Sequence, residues 1–322
     1  MESRILTPSI FSPASVPAEI IVEYTTLVLA ICAAIFVVVS SLIVYCVARF
    51  RERADDNGRE PPQIYGGGRI ELAWTVAPVL IVAVLFVVTA RTILTLQKDE
   101  PPPGSLQITA IGHQWWWEFD YADLGFVTAN ELHLPLMDDT SAGPAFLNLE
   151  SQDVIHSFWV PQLSGKMDLI PNRTNHLWIA PTESGVYVGQ CAEYCGTQHA
   201  NMLLRVVVEP RADFERWVRE QQRPATNDSA VSVAVGRAVF EETACVSCHS
   251  VRGTPADGTF GPDLTHLMSR TTLGAGIATN DRAHLIEWIT SPDHLKPGAR
   301  MPAMQLEPAQ ILAVVDYMES LQ

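Results

Sequence analysis

Two long apolar runs near the N-terminus contain no charged side chain. They cover residues 24–48 and 72–90, and each is preceded by a glutamate and followed by an arginine. About 20 apolar residues are enough for a helix to cross a bilayer, whereas buried helices of soluble proteins are usually shorter. The pattern therefore predicts a hairpin of two membrane spans, at about residues 24–48 and 72–94, within an N-terminal region 1–97.

The segment between the two spans is rich in arginine. It holds Arg49, Arg51, Arg53, Arg59 and Arg69. Because positively charged loops stay in the cytoplasm, both termini and everything after about residue 97 are predicted on the outer side.

After the proline-rich stretch 101–104 the pattern changes to short β-rich runs separated by turn residues. Strands are predicted at residues 106–111, 131–136, 146–149, 154–160, 176–179, 186–190 and 202–208. Short strands with frequent turns are typical of a sandwich or barrel, assigned here to residues 98–219. An amphipathic helix around Phe214 and Trp217 closes this region.

A polar segment, residues 220–230, is predicted to be a linker to a last domain, residues 231–322. There a helix containing Gly236 and Phe240 and a closing helix over residues 308–321 are predicted from apolar positions at helical spacing.

Charge is unevenly distributed along the 322 residues, whose formal net charge is −15. Residues 1–97 carry seven basic and eight acidic groups, and residues 98–322 carry fourteen basic and twenty-eight acidic groups. An acidic outer region argues against a nucleic acid as partner and suits a basic protein.

One loop gathers soft metal donors. It contains Cys191, Cys195, His199 and Met202. Thiolate, thioether and imidazole groups together select copper. Two thiolates can bridge two copper ions, and His156 is the best candidate for a second imidazole ligand.

Two other interpretations of this loop remain open. A disulfide between Cys191 and Cys195 leaves His199 and Met202 unexplained. A zinc site uses Cys, His and carboxylate ligands and leaves the methionine unexplained.

A second cofactor motif, C-x-x-C-H, lies at Cys245, Cys248 and His249. Two thiols at this spacing attach haem through thioethers, and the adjacent histidine binds iron. A thioredoxin-like cysteine pair is the alternative, but no βαβ pattern surrounds the motif.

The copper loop and the segment around His156 resemble the binuclear CuA site of cytochrome c oxidase subunit II. The resemblance implies a cupredoxin-like β-barrel whose copper ligands are His156, Cys191, the backbone carbonyl of Glu193, Cys195, His199 and Met202. In that family the Glu193 side chain also reaches a magnesium or manganese ion shared with the catalytic subunit.

Three further segments carry the same resemblance. Residues 113–117 are similar to a tryptophan-rich element that implies electron entry at Trp115, and residues 71–75 to a motif that implies Glu71 at the mouth of a proton channel. From physics alone Glu71 is an interfacial anion. Residues 166–173 resemble a segment that lies against the catalytic subunit, with Asn172 where glycine is usual.

The C-terminal domain resembles the all-α class I cytochromes c. That resemblance implies that the carbonyl of Pro262 orients His249 and that Met301 is the sixth iron ligand. The rival ligands are Met304, His266, His284 and His294.

Together the two resemblances imply a multidomain membrane protein: the electron-input subunit of a terminal haem-copper oxidase in the bacterial cell membrane, with its metal domains in the periplasm. Electrons from a cytochrome c or a quinol-oxidising complex pass through haem c and CuA to catalytic subunit I. That subunit reduces dioxygen and pumps protons, and other oxidase subunits are further partners. A subunit of a CuA-containing nitric oxide reductase and a stand-alone membrane-tethered carrier are the alternatives.

Overall fold

The computed structural model describes residues 5–6, 9–51, 63, 65–137, 143–225 and 230–322. Arg53 and Arg59 of the predicted cytoplasmic loop, and residues 226–229 of the predicted linker, lie outside the described residues. The chain divides into two compact units, Ile20–Leu96 and Met1–Glu19 with Gln97–Gln322.

The smaller unit is formed by two long helices, α1 (Val16–Arg49) and α2 (Gly68–Leu96). Their most apolar windows have mean hydropathies of 3.1 and 2.5 and are 0% buried inside the protein. Water does not stabilise helices that are apolar all round, so both fit a membrane anchor. Helix α1 begins before the uncharged run, with Glu19 in its first turn, where the helix dipole favours an acid. Pro78 lies inside α2, as membrane helices tolerate.

The larger unit begins with a region of two β-sheets, which we call the β-domain (residues 106–221). Its strands, with a short N-terminal strand that joins them, are β1 (Ile5–Leu6), β2 (Leu106–His113), β3 (Trp116–Tyr121), β4 (Phe126–Ala129), β5 (Glu131–Pro135), β6 (Ala145–Ser151), β7 (His156–Trp159), β8 (Met167–Leu169), β9 (Asn175–Ile179), β10 (Gly185–Cys191) and β11 (Leu203–Glu209). One sheet has the order β5-β11-β10-β7-β8, with β1 beside β10, and the other has the order β4-β3-β2-β6-β9. The two inner faces form one apolar core, as a cupredoxin-like fold requires.

Strand β3 shows how the aromatic run is distributed between the core and the surface. Trp117, Phe119 and Tyr121 are fully buried, whereas Trp116 is half-buried on the opposite face, where it stacks on His113. Core and surface positions therefore alternate along β3 with period 2. Strands β1, β3, β4 and β8 are not among the strands predicted from the sequence, and β1, β4 and β8 are only two, four and three residues long.

Helix α3 (Arg211–Gln221) closes the β-domain, as its amphipathic pattern predicts. Phe214, Trp217 and Val218 are buried against the β-domain core. The ring of Trp217 stacks on His133 at 4.1 Å between centroids, so this histidine has a structural role.

The helical domain (residues 231–322) has a core of its own. Its helices are α4 (Val231–Glu242), α5 (Cys245–Cys248), α6 (Arg282–Thr290), α7 (Pro292–Leu295) and α8 (Pro308–Glu319), and a two-strand ladder pairs β12 (Thr272–Leu273) with β13 (Ala278–Thr279). Helices α4 and α8 pack closely, with Phe240 and Tyr317 in ring contact at 5.6 Å.

Gly236 sets the distance between α4 and α8. A Cβ atom at this position would lie 1.8 Å from the carbonyl oxygen of Ala313. We expect Gly236→Ala to destabilise the helical domain by about 1–3 kcal/mol, because overpacking at the crossing outweighs the ~1 kcal/mol gain in helix propensity. A thermal melt checks this against Ser232→Ala, an exposed position in the same helix. A Gly236→Ala protein as stable as the parent would contradict the close crossing.

Candidate metal centres

The predicted copper donors come together at the end of the β-domain where β7 and β10 pair and the loop after β10 folds back. The two sulfurs of Cys191 and Cys195 lie 3.8 Å apart. His156 Nδ1 lies 3.9 Å from the Cys191 sulfur, and His199 Nδ1 lies 3.6 Å from the Cys195 sulfur. Each thiol therefore has its own imidazole.

Two more donors complete the cluster. The Met202 sulfur lies 3.8 Å from the Cys195 sulfur, and the carbonyl oxygen of Glu193 lies 3.2 Å from the Cys191 sulfur. Met202 and His156 are fully buried. The sequence-predicted set of six groups thus shares one site.

The donor set fits a pair of copper ions. The cysteines are free, and a 3.8 Å separation between sulfurs is well beyond the ~2.05 Å of a disulfide. A thioether and two imidazoles around two thiols form a soft site, which favours copper over zinc. The two thiols share a proton, which lowers the pKa of Cys191 and raises that of Cys195. A metal that binds both sulfurs must displace that proton.

A carboxylate behind the site orients one imidazole. Asp153 Oδ1 lies 2.8 Å from His156 Nε2, so the other ring nitrogen, Nδ1, is left to the thiols. Burial lowers the pKa of His156, but the bonds to Asp153 and Cys191 outweigh it and leave that pKa raised. Burial raises the pKa of Asp153, and the hydrogen bonds that it accepts from His156 and two backbone amides outweigh burial and lower it. Asp153 therefore remains a carboxylate.

Removing this carboxylate is expected to weaken metal binding. For Asp153→Ala we predict a loss of about 10–100-fold in copper affinity, because partners of ligating histidines have effects of this size. Copper titration of the purified chain measures it, with Asp123→Ala as a control at an exposed aspartate. Equal affinities in the two variants would contradict the orienting role.

Trp115 connects the copper loop with the helical domain. Its indole Nε1 donates a hydrogen bond of 3.0 Å to the carbonyl of Cys195, which also accepts one of 2.7 Å from the Gln114 side chain. The same tryptophan lines a large cavity between the β-domain and the helical domain. Trp115 therefore lies against both candidate centres.

That cavity has the size and lining that a haem requires. Its volume is about 480 Å³, and its walls include Cys245, Cys248 and His249 together with apolar side chains of α6 and α8. Gly261 is part of the wall, and a Cβ there would lie 2.6 Å from the His249 ring. A mostly apolar cavity that opens on both thiols of a C-x-x-C-H motif fits covalently attached haem.

His249 is held ready for iron. Its Nδ1 bonds to the carbonyl of Pro262 at 2.9 Å, the partner predicted from the sequence, which leaves Nε2 as a ligand atom. Burial lowers the pKa of His249 more than the Pro262 carbonyl raises it, so the ring is neutral and keeps the lone pair that binds metal.

Two methionines line the cavity, whereas the three rival histidines do not. Met301 and Met304 are among the lining side chains. Both ring nitrogens of His266 lie near backbone carbonyls, His284 contacts Asp281, and His294 contacts Glu287. The choice of sixth ligand thus narrows to Met301 or Met304.

The residues that the family resemblance singles out beyond the metal ligands lie in different parts of the chain. Glu71 lies in the first turn of α2, where its side chain accepts a bond from the Gly67 amide. The side chain of Glu193 is exposed at the copper loop. Asn172 has a φ of 61°, so it takes the left-handed conformation expected where the related segment has glycine.

Sequence reasoning missed several polar residues that serve these sites. Asp153 stands three positions before His156, a spacing that suggests contact only once the turn is known. Lys296 and Glu131 are almost fully buried between the β-domain and the helical domain. The sequence does not indicate that either side chain is buried, because an isolated charge is usually solvated.

Three family profiles match the chain. They are the cytochrome c oxidase subunit II transmembrane domain over residues 8–90, the periplasmic domain of the same subunit over residues 141–210, and cytochrome c over residues 233–322.

Relatives match over most of the chain. It is 33% identical to cytochrome c oxidase subunit 2 of Alkalihalophilus pseudofirmus over 315 residues, which cover 96% of this chain and 90% of the relative. It is 31% identical to cytochrome c oxidase subunit 2 of Bacillus sp. strain PS3 over 85% of this chain and 80% of that protein. A solved structure, the periplasmic domain of subunit II of cytochrome oxidase (CoxB) of Bradyrhizobium japonicum, is 30% identical over 38% of this chain and 97% of its own, with a TM-score of 0.35.

Proposed function

The chain belongs to the cytochrome c oxidase subunit II family, and we propose that it is the electron-input subunit of a haem-copper oxidase that receives electrons in a fused cytochrome c domain. The observation that carries the proposal is the joint presence of a six-donor copper cluster and a C-x-x-C-H cavity on the two sides of Trp115. When bound, binuclear copper and haem c supply one-electron chemistry.

The residues that would hold copper are those of the cluster around the two thiols. Cys191 and Cys195 would be the thiolate ligands, and His156 beside Cys191 and His199 beside Cys195 would be the imidazole ligands. Met202 and the Glu193 carbonyl would complete the set. The Asp153 carboxylate fixes the tautomer of His156, which supports this assignment.

The residues that would hold haem belong to the helical domain. Cys245 and Cys248 would form the thioethers, and His249, through Nε2, and Met301 would be the iron ligands. A methionine ligand raises the haem potential, which suits an electron donor to copper. Trp115 would conduct electrons between the centres, since its indole donates to the copper loop and also lines the cavity.

Other assignments come from the family resemblance. Glu71 would lie at the mouth of a proton channel, and the exposed Glu193 carboxylate would reach magnesium or manganese at the catalytic subunit. We propose an N-terminal tail and membrane hairpin in residues 1–97, the CuA domain in residues 98–219, a linker in residues 220–230 and the cytochrome c domain in residues 231–322.

Two apolar helices make the chain membrane-anchored. We infer that the membrane is the bacterial cell membrane and that both metal domains face the periplasm, because arginines concentrate between the two helices. The partners would be catalytic subunit I, other oxidase subunits and an electron donor.

Purification from native membranes tests the proposal. The chain is expected to co-purify with a large polytopic subunit, and the complex is expected to consume oxygen when haem c is reduced. Isolation of the chain alone, free of such a subunit in mild detergent, would favour a stand-alone carrier. A complex that reduces nitric oxide but not oxygen would identify the reductase alternative.

A further inference from the structure

Lys296 and Glu131 are charged side chains that are buried where the helical domain meets the β-domain and that form hydrogen bonds across the contact. Lys296 of the helical domain is 3% exposed, and Glu131 of the β-domain is 2% exposed. Charged residues are seldom buried this deeply unless their hydrogen bonds are satisfied. Each of these two therefore has a specific role at the contact.

The ammonium group of Lys296 bonds to three backbone carbonyls. Its Nζ donates to Trp115 O at 2.8 Å, to Asn201 O at 2.8 Å and to Gly274 O at 2.7 Å. The first two acceptors belong to the β-domain and the third to the helical domain. Burial lowers the pKa of Lys296 to about 7, against the opposing electrostatic effect of Cys195. The three carbonyls match the three N–H donors of the ammonium form.

Glu131 makes the converse contact from the β-domain. Its Oε1 accepts hydrogen bonds from the Thr271 amide at 2.8 Å, from the Thr271 hydroxyl at 2.6 Å and from the Thr272 amide at 3.2 Å. Beside it, the Leu203 amide donates to Ala275 O at 3.0 Å. Hydrogen bonds thus cross the contact between the two domains from donors on each of them.

Lys296 contacts the segments that carry both candidate centres. The Trp115 carbonyl that it binds belongs to the residue whose indole donates to Cys195 O. Asn201, the second acceptor, directly precedes Met202. Lys296 itself is on the loop that leads to Met301, and all three of Trp115, Lys296 and Met301 line the same cavity. The Lys296 ammonium therefore connects the loop that carries Met301 with two segments of the copper site, those of Trp115 and Asn201.

We propose that Lys296 is a positioning residue that, with Glu131 as the second contact, holds the helical domain in one docked position on the β-domain for electron transfer inside the chain. The proposal rests on the proposed function, since it takes the cluster to hold copper and the cavity to hold haem c. It adds how the two centres are kept in a fixed relation.

The docked position competes with a tethered, undocked one. A tether keeps the domains at high effective concentration but does not orient them. Undocking returns the charged groups of Lys296 and Glu131 to water. The buried hydrogen bonds of these two groups therefore stabilise the docked state only while each group keeps all its partners. Transfer between the centres occurs in the docked state, and its observed rate follows the docked fraction.

The test uses the purified oxidase with full-length variant chains. Lys296→Met keeps an unbranched apolar stem but removes the three donors, and Lys98→Met makes the same change at an exposed position. One electron is delivered to haem c by a flash-excited ruthenium complex, and haem reoxidation is followed optically. We expect Lys296→Met to slow the transfer roughly tenfold or more. The variant loses three hydrogen bonds from a charged donor, which are stronger than neutral ones, and the docked fraction falls with them.

A second measurement reports docking without electron transfer. Amide hydrogen exchange at Leu203 and Thr271, whose N–H groups donate across the contact, should accelerate in Lys296→Met and stay unchanged in Lys98→Met. The optical spectrum of haem c and the copper spectrum should be those of the parent, since no donor atom is altered.

Two results would overturn the proposal. One is a Lys296→Met oxidase with parental transfer rate and parental exchange at both amides. The other is a slowed rate accompanied by a changed haem optical spectrum or copper spectrum, which would assign Lys296 to the centres themselves. If the Lys296→Met oxidase does not assemble, the same measurements are made on Glu131→Gln. We expect this variant to slow electron transfer by a smaller factor, and an unchanged transfer rate would contradict the proposal. Failure of the proposed function is seen separately, as a parent chain that lacks binuclear copper or haem c.

Discussion

Replacing Cys191 by serine is expected to abolish the binuclear copper signal while leaving haem c in place. A serine hydroxyl is a hard, protonated group at neutral pH and cannot replace a bridging thiolate. Cys191 is also the thiol next to His156 Nδ1 and the Glu193 carbonyl, so its loss removes the common neighbour of both groups. The haem motif belongs to a separate core and should be unaffected.

Electron paramagnetic resonance and copper analysis measure this effect. Cys46→Ser is the matched control, since Cys46 is an exposed cysteine on the membrane helix α1. The control should retain the parental copper content and spectrum. An unaltered copper spectrum in Cys191→Ser would remove Cys191 from the ligand set.

Replacing Met301 by leucine is expected to lower the haem potential by more than ~59 mV, which is a tenfold change for a one-electron couple. Loss of a thioether ligand from iron removes the group that raises the potential. Leucine has a similar volume, so the cavity wall that Met301 helps to form is retained. Redox titration and the optical spectrum of the oxidised haem report the change.

Met304 provides the matched control, because it lines the same cavity and takes the same substitution. Met304→Leu should keep the parental potential and iron ligation. The reverse outcome, with a parental Met301→Leu and an altered Met304→Leu, would transfer the sixth-ligand role to Met304.

Local patterns in the sequence are sufficient to predict most of the architecture. Uncharged runs predict α1 and α2, and short β-rich runs between turn residues predict most strands. The soft donors between residues 191 and 202 predict the cluster because a short loop keeps its ligands together. The partner of His249 is also predicted from the sequence, since Pro262 follows the haem motif at the spacing of small cytochromes c. In each case the informative residues are close in the chain or belong to a motif of fixed spacing.

Contacts between distant residues are not encoded in such patterns. Lys296 and Trp115 meet only because two domains with separate hydrophobic cores pack together, and their contact depends on the shape of both surfaces. Asp153 supports His156 through a turn that periodicity does not describe. The rival ligands His266, His284 and His294 are set aside only by their observed partners.

The measurement that tests the account most directly is electron paramagnetic resonance of the purified full-length chain, combined with metal and haem analysis. The account predicts a hyperfine pattern from one electron shared by two copper nuclei, together with covalently bound haem c. A chain that binds haem but has no copper, or has copper as single ions only, would contradict it.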